Sequence, residues 1–323
     1  MLTTSIGTVV GKMRPGVTPS VSVIVPCFNG GRFLPQLLGS LARQTFHDFE
    51  IIIVDDGSTD AATRQVLDNL DPSVRVMRQA NKGLSAARNA GIAAAAADLV
   101  LTLDCDDKFE SPFLTEAVTV MQAAPPEVAL VLCHMRLAGA ASGPLERHFN
   151  RFDLLFSNPI PSGVLLRKAA WQAAGGYDET MRDGYEDWEF YLRLMLSGYR
   201  GVTIPKPYKI YHVSSEGMLF NQSSGKHAAI WRRIRRKHAS AYRPLAMLRL
   251  WRESHDSSGR DDPGHVSALK AAMAYLMAVL LPDGFFSALI ALRRQRHLLG
   301  GHRPAYPAGG GEPPRNPILN GKH

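Results

Sequence analysis

The chain has 323 residues, of which 45% are hydrophobic, and its formal net charge is +8. This composition fits a globular protein with a buried core and excludes a disordered or fibrous chain. Three cysteines without CxxC spacing argue against a disulfide framework and favour a reducing compartment. Residues 1–200 hold 18 Lys and Arg against 22 Asp and Glu, whereas residues 201–323 hold 19 against 7. We therefore expect an acidic domain followed by a basic extension that favours anionic partners.

Short apolar runs alternate with amphipathic helical stretches from about Val21 onward. The pattern predicts strands at 21–26, 49–56, 74–79, 98–104, 128–133 and 208–213, with a further strand entering a short helix at 161–168. It predicts helices at about 32–44, 60–70, 83–97, 112–122 and 186–198, and a loop at about 137–149. This alternation is typical of an α/β protein with a doubly wound, mostly parallel sheet.

Three polar clusters follow predicted strands. They are PCFN at 26–29, DDGS at 55–58 and DCDD at 104–107. Because ligands bind beyond the carboxyl ends of strands in an open parallel sheet, these clusters are expected to converge on one edge. Their carboxylates suit a hard divalent ion such as Mg²⁺ or Mn²⁺. Taken singly, DCDD could equally be an acidic turn, and DDGS could be a turn in which Asp caps the next helix.

Five ordered motifs carry a family resemblance. They are the stretch from VSVIVPCFNGG to IIIVDDGSTD, then NKGLSAARNAGI, LTLDCDD, GGYDE and GYEDWEFYLRL. Together they resemble family 2 glycosyltransferases of the GT-A fold, over about Val21 to His212. The resemblance implies an inverting, metal-dependent transfer of a sugar from a nucleotide sugar to an acceptor hydroxyl. The second carboxylate of its DXD motif would bind the metal.

The resemblance also assigns roles to individual residues. It implies Asp187 as the catalytic base, with Glu186 in support, and it implies metal binding by Asp106, Asp104 and His212. The nucleotide-binding set that it implies consists of Pro26, Phe28, Asn29, Asp56, Arg88 and Asp104. Other interpretations remain open at several positions. Phe28 could pack internally, Arg88 could be a solvated charge, and acids favour helix starts such as Glu186-Asp187 on electrostatic grounds alone.

The resemblance indicates only the chemical class of the donor and of the acceptor. UDP is the commonest nucleotide in such enzymes, dTDP and GDP stay open, and Mn²⁺ or Mg²⁺ is the expected cofactor. The expected acceptor is a glycan or a lipid-linked sugar in cell-envelope polysaccharide synthesis. Alternatives are a sugar transferase acting on a polyprenyl phosphate and a nucleotide-sugar-binding protein without activity. A metal phosphotransfer enzyme is a further alternative, but it would leave GGYDE unexplained.

The domain prediction divides the chain into four parts. We expect a flexible lead-in at 1–20, a GT-A domain at 21–215 with a nucleotide-sugar half (21–110) and an acceptor half (111–215), a helical extension at 216–299 and a disordered tail at 300–323. The basic and apolar stretch at 231–297 favours contact with an anionic membrane surface over a solvated helix face. No nucleic-acid motif accompanies the charge. The predicted location is cytoplasmic, with peripheral attachment to the inner face of the plasma membrane left open.

Overall fold

The computed structural model describes residues 18–139, 142–213 and 226–257. The predicted lead-in at 1–20 lies almost wholly outside these residues, and the predicted tail at 300–323 lies wholly outside them. Of the predicted extension at 216–299, the structure describes 226–257.

A mixed sheet organises the described residues. Its strands are β1 (Val21–Cys27), β2 (Phe49–Asp55), β3 (Val74–Arg78), β4 (Leu99–Thr102), β5 (Lys108–Phe109), β6 (Val128–Gly139), β7 (Gly143–Leu145), β8 (Leu165–Arg167) and β9 (Arg200–Val213). They lie in the order β3-β2-β1-β4-β8-β6-β9-β5, and β7 pairs with β6. The pairs β1–β2, β1–β4 and β2–β3 are parallel, as the sequence predicts.

The second half of the sheet is less regular than the first. β8 runs antiparallel between β4 and β6, while β9 pairs parallel with β6 and antiparallel with β5. The loop predicted at 137–149 is wrong in part, because β6 continues to Gly139 and 143–145 form β7. A strand of three residues such as β7 carries little periodic signal in the sequence.

The helices pack on both faces of the sheet. They are α1 (Leu34–Ala42), α2 (Ala61–Asp68), α3 (Leu84–Ala94), α4 (Phe113–Ala123), α5 (Lys168–Ala174), α6 (Glu186–Leu196), α7 (His227–Lys237) and α8 (Pro244–Ser257). The predicted start of α2 is confirmed, because the Asp60 carboxylate accepts hydrogen bonds from the backbone N–H groups of Ala62 and Thr63.

Two buried apolar layers sandwich the sheet. In β1, Ile24 contributes to the layer beneath α3, α5 and α6, whereas Val23 and Val25 contribute to the layer beneath α1 and α4. Strands buried on both faces explain the unbroken apolar runs in the sequence. Gly91 of α3 permits close packing, because a Cβ there would lie 2.4 Å from Cγ2 of Ile24.

Helices α7 and α8 pack against the rest of the chain. The Trp231 indole N–H and the Tyr242 hydroxyl both donate to the backbone carbonyl of Leu155, at 3.0 and 2.8 Å. Ile234 is fully buried in the layer that also holds α6. The described part of the extension is therefore integrated with the sheet domain. No helix within the described ranges is long and apolar enough to cross a membrane.

Candidate active site

The three polar clusters converge where β1, β2 and β4 end. Cys27 lies opposite Asp55 in the parallel ladder, and the Asp56 N–H donates to the Cys27 carbonyl at 2.9 Å. Beyond β4, the Leu103 N–H donates to the Ile24 carbonyl at 2.9 Å. The segments that follow these strands therefore leave the sheet side by side, as the parallel topology requires.

The β1 and β2 clusters hold each other in place. Asn29 has a left-handed backbone, with φ at 53°, and its side-chain oxygen accepts from the N–H groups of Thr59 and Asp60, both at 2.9 Å. Asp56 is buried, and its carboxylate accepts from the Lys82 and Gly83 N–H groups at 2.9 and 2.8 Å. Asn29 and Asp56 thus shape this end of the site by ordering the loops at 57–60 and 79–83.

Pro26 and Phe28 differ in exposure. Pro26 is buried within β1, whereas the Phe28 side chain is 50% exposed. An aromatic ring that remains half in solvent beside a polar edge can stack on a planar ligand. The packing role considered for Phe28 is therefore the weaker interpretation.

Arg88 joins two of the sequence motifs. This residue of α3 is buried, and its guanidinium donates to Asp104 at 2.7 Å and to Glu186 at 2.6 Å. Its Nε is buried without a hydrogen-bond partner among the described residues. Burial alone would lower the Arg88 pKa, but the two carboxylates outweigh that effect and the net shift is upward. The alternative of a solvated charge is wrong, since Arg88 is a permanently charged group inside the site.

The turn at 104–107 presents its three carboxylates differently. Asp106 is exposed, Asp104 is partly buried, and Asp107 is buried. Burial raises the pKa of Asp104, but Arg88 and Lys209 outweigh it and hold the pKa below its ordinary value. Asp107 accepts from Lys209 Nζ at 2.6 Å, although burial still raises its pKa to about 7. Asp104 and Asp106 are therefore the carboxylates turned toward the open edge.

Cys105, within this turn, packs against Cys27 at the end of β1. A Cβ on Gly30 would lie 2.5 Å from the Cys105 sulfur and 3.6 Å from the Cys27 sulfur, so the glycine leaves room for both. Hydrogen bonding with Cys105 lowers the pKa of the Cys27 thiol. Cys27 is buried and packs as a small apolar side chain in the core.

Glu186 and Asp187 begin α6 under backbone strain. Tyr185, the residue before them, has φ at 63°, which side chains of this size rarely adopt. Its hydroxyl lies 3.1 Å from Nδ1 of His227 in α7, and its ring packs edge-on against Trp188. Burial, together with the Glu186 carboxylate, raises the pKa of Asp187 to about 7. An acid with such a pKa can exchange protons near neutrality.

Asn89, which follows Arg88, fixes the GGYDE segment. Its side-chain oxygen accepts from the Tyr177 N–H at 2.8 Å and from the Trp171 indole at 3.1 Å. A Cβ on Gly176 would lie 2.8 Å from that same oxygen, so the close approach requires glycine. The Asn89 side chain thus joins the ARN motif at 87–89 to the GGYDE motif. The sequence resemblance assigned no role to Asn89.

Sequence reasoning also missed Lys209 and Ser162. Lys209 lies on β9, is fully buried, and donates to Ser162 Oγ at 2.9 Å as well as to Asp107. The sequence signal that could have identified Lys209 is a lysine inside the predicted strand YKIYHV at 208–213. The backbone of His212 pairs with Ala138 of β6, but its side chain lies outside the described residues, so its predicted metal contact stays a prediction.

The carboxylates fit a divalent ion that is shared with a phosphate ligand. Among the described residues, no group of three His, Cys, Asp or Glu side chains is arranged as a ready metal site. Asp104 and Asp106 nevertheless offer two carboxylates at the open edge, and Mg²⁺-type ions commonly use one or two carboxylates together with substrate phosphates. Among the described side chains of the site, acids outnumber cations. The acids are Asp104, Asp106, Asp107, Glu186 and Asp187, and the cations are Arg88 and Lys209.

A family model described as Glycosyl transferase family 2 matches residues 22–178, which include the strand-end clusters and the first four residues of GGYDE. Residues 22–178 therefore form a glycosyltransferase family 2 domain. An uncharacterized glycosyltransferase of Nostoc sp. is 32% identical over 154 residues, which are 47% of this chain and 47% of the Nostoc protein. The Bacillus subtilis glycosyltransferase YwdF is 28% identical over 206 residues, 61% of this chain and 75% of YwdF. Chondroitin synthase of Escherichia coli is 29% identical over 196 residues, 54% of this chain and 26% of the synthase. The chain thus spans less than half the length of the Nostoc and E. coli proteins.

Solved structures show that the chain has the predicted GT-A fold. S. aureus TarS 1-349, solved with UDP-GlcNAc, superposes with a TM-score of 0.58 at 21% identity, covering 72% of this chain and 69% of that one. The mannosyltransferase PcManGT of Pyrobaculum calidifontis, solved with GDP-Man and Mn²⁺, superposes with a TM-score of 0.51 at 21% identity, covering 88% of both chains.

Proposed function

We propose that this protein is an inverting, metal-dependent glycosyltransferase that moves a sugar from a nucleotide sugar to an acceptor hydroxyl in glycan or cell-envelope polysaccharide synthesis. One observation carries the proposal. Asp187, a carboxyl group with a pKa of about 7, begins α6 beside Glu186, which Arg88 joins to Asp104 of the acidic turn. This arrangement supports a proton acceptor and a leaving-group site on one edge of the sheet.

The proposed chemistry is a single displacement. Asp187 takes the proton from the acceptor hydroxyl as its oxygen forms a bond to the anomeric carbon. The bond from that carbon to the nucleotide diphosphate breaks on the opposite face, which inverts the anomeric centre. Arg88 supplies permanent positive charge next to Asp104, where charge on the departing diphosphate would develop. A divalent ion held by Asp104 and Asp106, with His212 as a further proposed ligand, would neutralise the same charge.

A uridine nucleotide is the first donor class to test. The support is the UDP-GlcNAc bound by TarS, although PcManGT binds GDP-Man and differs in nucleotide. In this chain the half-exposed Phe28 ring follows β1, which contains Pro26, and offers a stacking surface for the base, while Asp56 orders the loop at 79–83. Asn29 orders the neighbouring loop at 57–60, and its direct contact with the nucleotide stays a prediction.

The test is a panel of UDP-, dTDP- and GDP-sugars, measured with Mn²⁺, with Mg²⁺ and with EDTA. Thermal shift reports binding, and release of free nucleotide reports slow hydrolysis of the donor. We expect stabilisation and hydrolysis with one nucleotide class, and loss of hydrolysis in EDTA. If no donor stabilises the protein, a transferase role would be untenable. Binding without hydrolysis or transfer would instead support a non-catalytic nucleotide-sugar-binding protein, while transfer to a polyprenyl phosphate would identify the other alternative.

Membrane association is a second proposal, supported by the outer face of α8. Leu245 is 82% exposed and Leu248 is 44% exposed, and Arg249 and Arg252 lie beside them at helical spacing. Exposed leucines flanked by arginines suit an anionic lipid surface. We expect the intact protein to sediment with phosphatidylglycerol vesicles and Leu245→Ser/Leu248→Ser to sediment less. Equal sedimentation of the two proteins would exclude this face of α8 as the membrane-binding surface. A deletion from Trp231 onward is not suitable, since it removes buried core residues.

A further inference from the structure

Lys209 is a charged side chain placed wholly inside the protein. It lies on β9 between Phe109 of β5 and Met135 of β6, and none of its surface is exposed. A buried ammonium group is unfavourable unless its protons are hydrogen-bonded to suitable acceptors. Its partners therefore indicate why the charge is there.

The ammonium group has three protons and three acceptors around it. Asp107 Oδ2 lies 2.6 Å from Nζ, Ser162 Oγ lies 2.9 Å away, and the Ser162 carbonyl is the third acceptor. Gly163, with φ at 81°, lets the chain pass close by, because a Cβ there would lie 3.4 Å from Nζ. The side chain of Lys209 is thus held rigidly, with its charge directed at Asp107.

Asp107 transmits this anchoring to the acidic turn. Its backbone N–H donates to the Asp104 carbonyl at 3.0 Å and closes the turn that carries Asp106. Its side chain also accepts from Ser162 Oγ at 3.4 Å. Two buried cations therefore restrain the turn, since Arg88 bonds the side chain of Asp104 and Lys209 bonds the side chain of Asp107.

We propose that Lys209 is a positioning residue for the donor site: through Asp107 and Ser162 it fixes the turn at 104–107 so that Asp104 and Asp106 face a metal-bound diphosphate. The inference rests on the proposed function. Lys209 itself is too deeply buried to touch the donor. If the ion pair were purely structural, replacing both partners by neutral residues would leave donor binding intact. A buried pair can often be replaced in this way without loss of stability.

The test separates positioning from stability. We compare the wild-type protein, Lys209→Met and the neutral double variant Asp107→Asn/Lys209→Met by thermal unfolding and by calorimetric titration of UDP with and without Mn²⁺. Lys209→Met should be destabilised, since it leaves a buried carboxylate without its cation. The double variant should recover most of the melting temperature. Its Mn²⁺-dependent affinity for UDP should stay reduced by about 10-fold or more, as is usual when the support of a metal ligand is lost.

A control on the same strand completes the design. Lys206→Met removes an exposed lysine that pairs with Glu116 on the protein surface, and it should bind UDP and Mn²⁺ as the wild type does. A double variant that binds like the wild type would overturn the inference alone. If the donor panel selects dTDP or GDP, that nucleotide replaces UDP in the titration. A wild-type protein without metal-dependent binding of any of the three nucleotides would overturn the proposed function together with the inference. Should Lys209→Met fail to fold, the double variant still decides the question.

Discussion

The side-chain amide of Asn89 makes two hydrogen bonds to the backbone of Tyr177, donating to its carbonyl at 2.9 Å and accepting from its N–H at 2.8 Å. The same pair of hydrogen bonds joins the backbones of neighbouring β-strands. Here a side chain makes it with a residue 88 positions further along the sequence. It ties the helix that carries Arg88 to the segment leading toward Glu186 and Asp187.

Asn89→Asp should therefore destabilise the protein. The substitution removes both N–H donors and places a carboxylate against Glu179, whose Oε1 is 3.0 Å from the Asn89 amide nitrogen. We expect a loss of about 2–3 kcal/mol in the free energy of unfolding, measured by urea denaturation. Asn69→Asp, on the exposed end of α2, is the matched control and should change stability by about 0.5 kcal/mol or less. Similar losses in both variants would contradict the role given to Asn89.

Phe28→Ala should weaken nucleotide binding and leave stability nearly unchanged. A half-exposed ring contributes little to the core, whereas stacking on a base contributes about 1–3 kcal/mol to binding. Calorimetric titration of UDP should show the dissociation constant rising by about 5-fold or more. Leu196→Ala, at another partly exposed apolar residue, is the control. Unchanged UDP affinity in Phe28→Ala would show that the ring has no contact with the base.

Asp187→Asn should abolish most of the transfer and little of the donor binding. An amide cannot accept the acceptor's proton, and loss of general-base catalysis typically lowers kcat by about 10²–10⁴-fold. The measurement is kcat for transfer beside the dissociation constant for UDP. Asp183→Asn, at an exposed residue that pairs with Lys226, provides a control four residues away. Parallel loss of binding and turnover would assign Asp187 to the donor site instead.

The rate of transfer should rise with pH through about 7. Burial and the Glu186 carboxylate raise the pKa of Asp187 to about 7, so the ionised base is a minor species at pH 6 and predominates at pH 8. A profile of kcat from pH 5.5 to 8.5 at saturating donor should climb and level off. A flat or falling profile would be incompatible with Asp187 as the base.

Glu189 should contribute stability that acid removes. Its buried carboxylate contacts Arg193, Lys237 and His238, and although burial raises its pKa, these bonds hold the pKa at about 2. Because the folded-state pKa lies below the unfolded one, the contribution is complete above about pH 4.5 and is lost as the pH falls toward 2. Glu189→Gln should be less stable by about 3 kcal/mol at pH 7.

Denaturation at several pH values tests this expectation. The stability difference between wild type and Glu189→Gln should shrink on acidification, whereas the exposed Glu127→Gln should show no such difference at any pH. A difference that is constant with pH would mean that the charge of Glu189 is not what stabilises α7 on α6.

The parallel part of the fold and the placement of the acidic turn could be predicted from sequence. Continuous apolar runs such as VSVIVP identify strands buried on both faces, and strand ends of a parallel sheet must meet at one edge. The donor-side residues Asp104 and Asp106 follow from that geometry together with the family motifs. Their roles as ligands stay predictions.

The support beneath the site could not be predicted, because it depends on pairings between distant segments. Lys209 meets Asp107 through the antiparallel pairing of β9 with the two-residue strand β5, which has no periodic signal. His227 reaches Tyr185 from a helix whose basic residues suggested a separate appendage. The sequence shows the charges of α7 but not the buried face, which Trp231 and Ile234 fill.

The carbonyl oxygen of Leu155 receives two hydrogen bonds, one from Trp231 and one from Tyr242. The family match stops at residue 178, so both donors come from chain that the match leaves out. Exchanging the C-terminal segments of two relatives would therefore not be a modular swap. An exchanged segment would also have to supply an indole and a phenol that donate to that carbonyl. Otherwise the surface around Leu155 would have to be redesigned.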